Sequence, residues 1–177
     1  PLPYFSHEIY GLKNNTIMID NYLDTFSDIL SELKKDDNIV LGGSMAMILH
    51  GINIGRDPED LDVILHKSTS RQVDYVNALH NTEVVGQKHS PFSKDGEEVV
   101  RTSLEIVIRN GMHLNILSNS VQLRERYLYY KGYRIQPIDM IVEAKASYTY
   151  KSKTKGNYIR KKDIEDLQFI KNNNFNI

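Results

Sequence analysis

Two carboxylates one residue apart, Asp60 and Asp62, open the apolar run of EDLDVILH. An extended chain has a side-chain period of two. Both acids therefore share one face, and Leu61, Val63 and Leu65 take the other. Carboxylates held this close raise each other's cost of ionisation. A divalent cation removes that cost, and Mg²⁺ favours one or two carboxylates completed by water and substrate phosphates. Two cations bridged by such a pair would clamp the attacking and leaving oxygens of a phosphoryl transfer. Upstream, Gly42, Gly43 and Ser44 sit between the apolar runs NIVL and MAMIL. Glycine lets a phosphate approach the backbone, and a helix start offers free N–H groups and partial positive charge. Ser44 adds a hydroxyl that caps the helix or meets a phosphate. Arg56, just before the acids, either contacts a phosphate or pairs with Asp57 or Glu59. The plainer alternatives are an ordinary tight turn at Gly42-Gly43 and a solvated strand end at Asp60 and Asp62.

Elements must hold these groups. TIMIDNYLDTFSDILSELKKDD carries Ile19, Leu23, Phe26, Leu30 and Leu33 at helical spacing, which predicts one amphipathic helix over about residues 16–36. NIVLGG reads as a short buried strand, SMAMILHGI as a helix, EDLDVILH as a strand and SRQVDYVNALHN as a helix. The stretch from Glu83 to Asp95 reads as loop or edge. EVVRTSLEIVIRNGMHLNILSN reads as a hairpin turning at Asn110-Gly111. IDMIVEAKASYTY and KDIEDLQFIKN read as two helices joined by the basic loop KSKTKGNYIRKK, giving a helical part over about residues 137–172. Residues 1–15 read as an irregular lead-in. This order predicts the α+β class, a mixed β-sheet flanked by helices, in a single domain over residues 1–177.

Composition narrows the function classes. With 22 Lys and Arg against 23 Asp and Glu, no global field argues for nucleic acid or a membrane surface. The absence of cysteine excludes disulfides and thiolate metal sites, and fits a reducing compartment. No apolar run approaches the roughly 20 residues of a membrane span. The first residues lack the pattern of a secretory leader. A cytoplasmic protein with no membrane partner is the expectation.

A Gly-Gly-Ser that opens a helix, followed by Arg-x-x-x-Asp-Leu-Asp in a strand, resembles the DNA polymerase beta-like nucleotidyltransferase superfamily. Within it, the chain looks most like the minimal bacterial nucleotidyltransferases of the abortive-infection toxin type. YYKGYRIQPIDMIVEAKASY and RKKDIEDL resemble that family's final strand, Lys-bearing helix and Lys-Asp-x-x-Asp-Leu helix. The likeness covers roughly residues 38 to 170. It implies a nucleotidyltransferase-like sheet and Mg²⁺- or Mn²⁺-dependent transfer of a nucleoside monophosphate from an NTP to a hydroxyl or phosphate. It also implies metal on Asp60 and Asp62, and nucleotide on Gly42, Gly43, Ser44 and Arg56, with Lys145 near the phosphates.

The family supplies a third carboxylate from a later strand. Here MHLNILS puts His113 and Asn115 on one face, with Asn115 where an Asp is expected. An amide oxygen can ligate Mg²⁺, but it carries no charge and is no base. Glu105 is the nearby acid. A two-residue turn at Asn110-Gly111 pairs it with Ile116, on the face away from Asn115. The expectation is a nucleotidyltransferase with Asn115, or less favourably Glu105, in the third position. Its rival is a catalytically weakened nucleotide- or RNA-binding module on the same fold, as in a toxin–antitoxin pair with a protein antitoxin partner. A third class is a protein-interaction domain that kept only the fold.

Other residues have competing readings. His113 is a base or a strand-surface residue. Glu105 reads as a solvent-facing hairpin residue. Lys145 reaches a phosphate or snorkels. Asp163 and Asp166 read better as a helix cap and a first-turn acid than as a second metal site. Lys151, Lys153, Lys155, Arg160, Lys161 and Lys162, with Tyr148, Tyr150 and Tyr158, form either a docking surface for tRNA or other RNA or a solvated loop.

Overall fold

A computed structural model describes residues 6–8, 13–90, 92–94, 97–98, 102–119, 122–152 and 156–173, with side chains over 16–87, 103–118, 122–146 and 158–173. In chain order the first half holds β1 (Ser6–Glu8), α1 (Lys13–Thr25), α2 (Ser27–Lys34), β2 (Ile39–Gly42), α3 (Gly43–Leu49), β3 (Asp60–His66), α4 (Ser70–His80) and β4 (Val84–Ser90). The second half holds β5 (Phe92–Lys94), β6 (Glu97–Glu98), β7 (Thr102–Arg109), β8 (Met112–Asn119), β9 (Tyr127–Tyr130), β10 (Tyr133–Ile135), α5 (Ile138–Ser147), β11 (Tyr148–Ser152), β12 (Gly156–Tyr158) and α6 (Lys161–Asn172).

The apolar run of β3 makes it a central strand. It pairs antiparallel with β2 and parallel with β8 in a mixed eight-stranded sheet ordered β1-β9-β10-β2-β3-β8-β7-β4. The β7–β8 hairpin turns on Asn110 and Gly111, at φ 51° and 74°. That pair of positive φ angles is what a two-residue turn requires, and the Asn-Gly sequence supplies it. One face of the sheet buries Leu41, Leu61, Val63, Leu65, Val107, Leu114 and Ile116 in a core shared with Phe26, Ile29, Leu30 and Leu33 of the N-terminal helices. A second, four-stranded sheet is ordered β12-β11-β5-β6. The mixed sheet with helices agrees with the α+β class. Among the described residues, no helix is long and apolar enough to cross a membrane.

Four expectations are corrected. The helix over 16–36 is two helices, broken at the fully buried Phe26 (φ −107°, ψ 20°). At the break, Arg109 Nη1 donates to the Thr25 carbonyl at 3.1 Å. The C-terminal part is not all helix. Tyr148–Ser152 pairs antiparallel with both β12 and β5, as its alternating tyrosines favour. The lead-in contributes β1, parallel to β9 with Ser6 opposite Tyr127. Ser44 is not a helix cap, because the N-cap position is Gly42 and carries no side-chain cap bond.

Candidate active site

The register of the sheet assembles the site. Gly42 lies opposite Asp62, Asp62 is level with Asn115, and Asn115 lies opposite Ile106. Asp60 is level with His113 on the same face. Period-two alternation puts the two carboxylates on one face of β3 and the amide and imidazole on one face of β8, as the spacing required, and the parallel pairing of these two strands brings all four to one side. Asn115 Nδ2 donates to Asp60 Oδ2 at 2.9 Å and to Asp62 Oδ1 at 2.9 Å. The two acids are partly buried, and His113 is exposed. Burial and the charge of Asp60 push the Asp62 carboxyl up to about 6, against the Asn115 hydrogen bond and the positive charges of Lys145 and Lys162.

The glycine turn is fitted to this pair. Gly43 has φ 65°, and a Cβ there would collide with the Asp62 carboxylate. Gln136, which sequence reasoning missed, braces the turn. Its Oε1 accepts from Gly43 N–H at 3.2 Å, its own N–H donates to the Leu41 carbonyl at 2.8 Å, and its carbonyl lies 2.8 Å from His50 Nε2. One buried residue thus contacts the chain before, at and after the turn. No motif marks it, because it lies far along the chain from the residues it holds.

The basic groups are anchored by acids from α6. Arg56 pairs with Asp166 at 2.9 Å and donates to Ser44 Oγ at 3.3 Å, so its partner is neither Asp57 nor Glu59. Lys145 Nζ lies 3.1 Å from Asp163 and 2.9 Å from Asp166, so its stem does not simply snorkel to solvent. Arg160 also binds Asp163, at 2.9 Å. Asp163 and Asp166 are buried, and neither is the helix cap, a position held by Arg160. Their partners are cations of this chain, so they do not form a second metal site. Burial pushes the Asp163 carboxyl up, but its hydrogen bond to Arg160 and the charges of Lys145 and Arg160 hold it below its usual range.

Glu105 lies opposite Ile116, on the face away from Asn115, and is buried among core residues rather than solvent-facing. Its Oε1 accepts from Gln87 at 3.1 Å and Ser103 at 3.3 Å. It cannot fill the third position. Among the described residues no group of three or more His, Cys, Asp or Glu is arranged to hold a metal ion. Asp60 and Asp62 fit a cation as two charged ligands, not three. The side chains of Tyr148, Tyr150, Lys151, Lys153 and Lys155 lie outside the described residues. Arg160, Lys161 and Tyr158 are exposed, and Lys162 is partly so. A cavity of about 270 Å³ beside β9 and β10 is lined by His50, Arg126 and apolar residues and contains none of these acids.

The arrangement can hold a divalent cation on two carboxylates, with cationic side chains to one side for an anion. No family model, curated protein or solved structure matches the chain.

Proposed function

We propose that this chain is an NTP-handling protein of the polymerase beta-like nucleotidyltransferase kind, which moves a nucleoside monophosphate to an acceptor hydroxyl or phosphate with release of pyrophosphate. The carrying observation is that Asp60 and Asp62 stand side by side on one face, with the side-chain-free Gly43 packed against Asp62. Asp60 and Asp62 would hold Mg²⁺ or Mn²⁺, which when bound would offset phosphate charge and polarise the reacting phosphoryl group. The absence of a side chain at Gly43 lets the Asp62 carboxylate pack directly against the turn. Ser44 and Asp166 fix the Arg56 guanidinium in orientation, and Asp163 and Asp166 fix the Lys145 ammonium. Cations held in this way can meet phosphates without first being ordered.

Asn115 favours a second reading, a nucleotide- or RNA-binding module whose transfer is weakened, because an amide accepts no proton from an attacking hydroxyl. Both readings place the protein in the cytoplasm. Its partners would be an NTP, an RNA such as tRNA, and, for a toxin–antitoxin component, a protein antitoxin. α-Labelled NTPs with Mg²⁺, incubated with total tRNA, small hydroxylated molecules and the protein itself, test the first reading. It expects label transfer that Asp62→Ala abolishes. Nucleotide binding without transfer supports the second. A site filled at about 100 times its dissociation constant stabilises by roughly 2.7 kcal/mol, so a flat thermal shift with every NTP would sink the first reading and the nucleotide-binding form of the second.

A further inference from the structure

We infer that the Asn115 amide is a built-in stand-in for a divalent cation, so that the Asp60–Asp62 pair takes up metal only by displacing it. The inference rests on the nucleotidyltransferase reading of the pair. The two Nδ2 hydrogens are divided between the carboxylates, each at 2.9 Å, so the amide occupies the oxygens that would otherwise hold a cation. Both acceptors are carboxylate oxygens, which accept only, so the amide must turn its NH₂ rather than its oxygen toward them. A ligating amide would need the reverse orientation. A third carboxylate at this position would repel the pair and leave it in need of a cation. Asn115 instead satisfies the pair without one, and the nearby charges of Lys145 and Lys162 offset it further. A bare cation therefore competes with the amide. A cation arriving with a triphosphate brings further ligands of its own and is favoured over the bare ion. The site is thereby tuned to metal and nucleotide together.

The test is Mn²⁺ binding by the full chain, followed by electron paramagnetic resonance, for the natural sequence, Asn115→Ala and Asn115→Asp. It is run with Mn²⁺ alone and with non-hydrolysable α,β-methylene analogues of the four NTPs. Asn115→Ala removes the competitor, and Asn115→Asp adds a ligand. Both should bind Mn²⁺ alone more tightly, Asn115→Asp by about tenfold or more. Weaker binding by Asn115→Ala would make the amide oxygen a ligand and overturn the inference, as would unchanged affinity in Asn115→Asp. If either variant misfolds, the natural chain still decides. Mg²⁺ with the nucleotide analogue should release the Asn115 side-chain amide hydrogens into fast exchange by NMR, and their continued protection counts against displacement. Failure of every analogue to bind defeats the nucleotide reading, while the sign of the Asn115→Ala change still decides what the amide does.

Discussion

Asp62 opposes folding at neutral pH. Its carboxyl is raised from 3.8 to about 6, first by burial and then by Asp60. A group raised in the folded state contributes stability that is complete below the unfolded value and lost as pH rises through the folded one. The ionised Asp62 of the cation-free protein therefore destabilises it above pH 6. Asp62→Asn should be more stable than the natural chain at pH 7.5 by on the order of 2 kcal/mol in urea unfolding, with the gap closing as pH falls through 6. Equal stabilities at pH 7.5 would contradict this. Gly43→Ala meets the same carboxylate. With φ at 65° and no room for a Cβ, it should lose roughly 1–3 kcal/mol and displace Asp62, read as lower denaturant resistance together with weaker Mn²⁺ binding. That Asp60 and Asp62 share a face of their strand, and His113 and Asn115 a face of theirs, was legible because a strand's period of two is a local property. The amide's orientation was not, because it depends on charges brought together from separate strands.

At the level of elements, α6 supplies anchors rather than ligands. Asp166 is fully buried between Arg56 and Lys145. Asp166→Asn would leave Arg56 without its acid and Lys145 with Asp163 alone, and should cost about 3–5 kcal/mol in denaturant unfolding, far more than a surface ion pair. A loss under 1 kcal/mol would show that these cations find water instead. The sequence displayed α6 clearly through its apolar spacing, yet suggested capping for its acids, since a first-turn position satisfies a local rule while a partner on another element stays unseen. The break at Phe26 escaped notice for the same reason. Phe26 fits the helical stripe, and the side chain that engages the Thr25 carbonyl comes from β7. Strand β11 was misread because the apolar spacing of α5 runs straight into Tyr148 without a stop signal. The β7–β8 hairpin was legible to the residue, because Asn-Gly specifies its own turn.

At the scale of the molecule, β3 lies between a neighbour close in sequence, β2, and one far from it, β8. Central, doubly paired strands open only on global unfolding. Amides of β3 and β8 should exchange most slowly with deuterium, and those of the edge strand β4 faster. Equal protection across the sheet would argue against this strand order. The order itself was out of reach of sequence reasoning, because parallel pairs such as β3–β8 and β10–β2 join segments with no turn between them to announce the contact.

The pairing of Arg56 with Asp166 also has a consequence in time. During synthesis, Arg56 leaves the ribosome about 110 residues before its partner, an interval of roughly 5–20 s at ordinary elongation rates. Until α6 emerges, the guanidinium beside Ser44 has no acid to orient it and Lys145 has no counter-charge. A nascent chain thus carries both aspartates long before it carries the finished pocket. Under the proposed function, the site would stay inert on the ribosome and become competent only once α6 has been made.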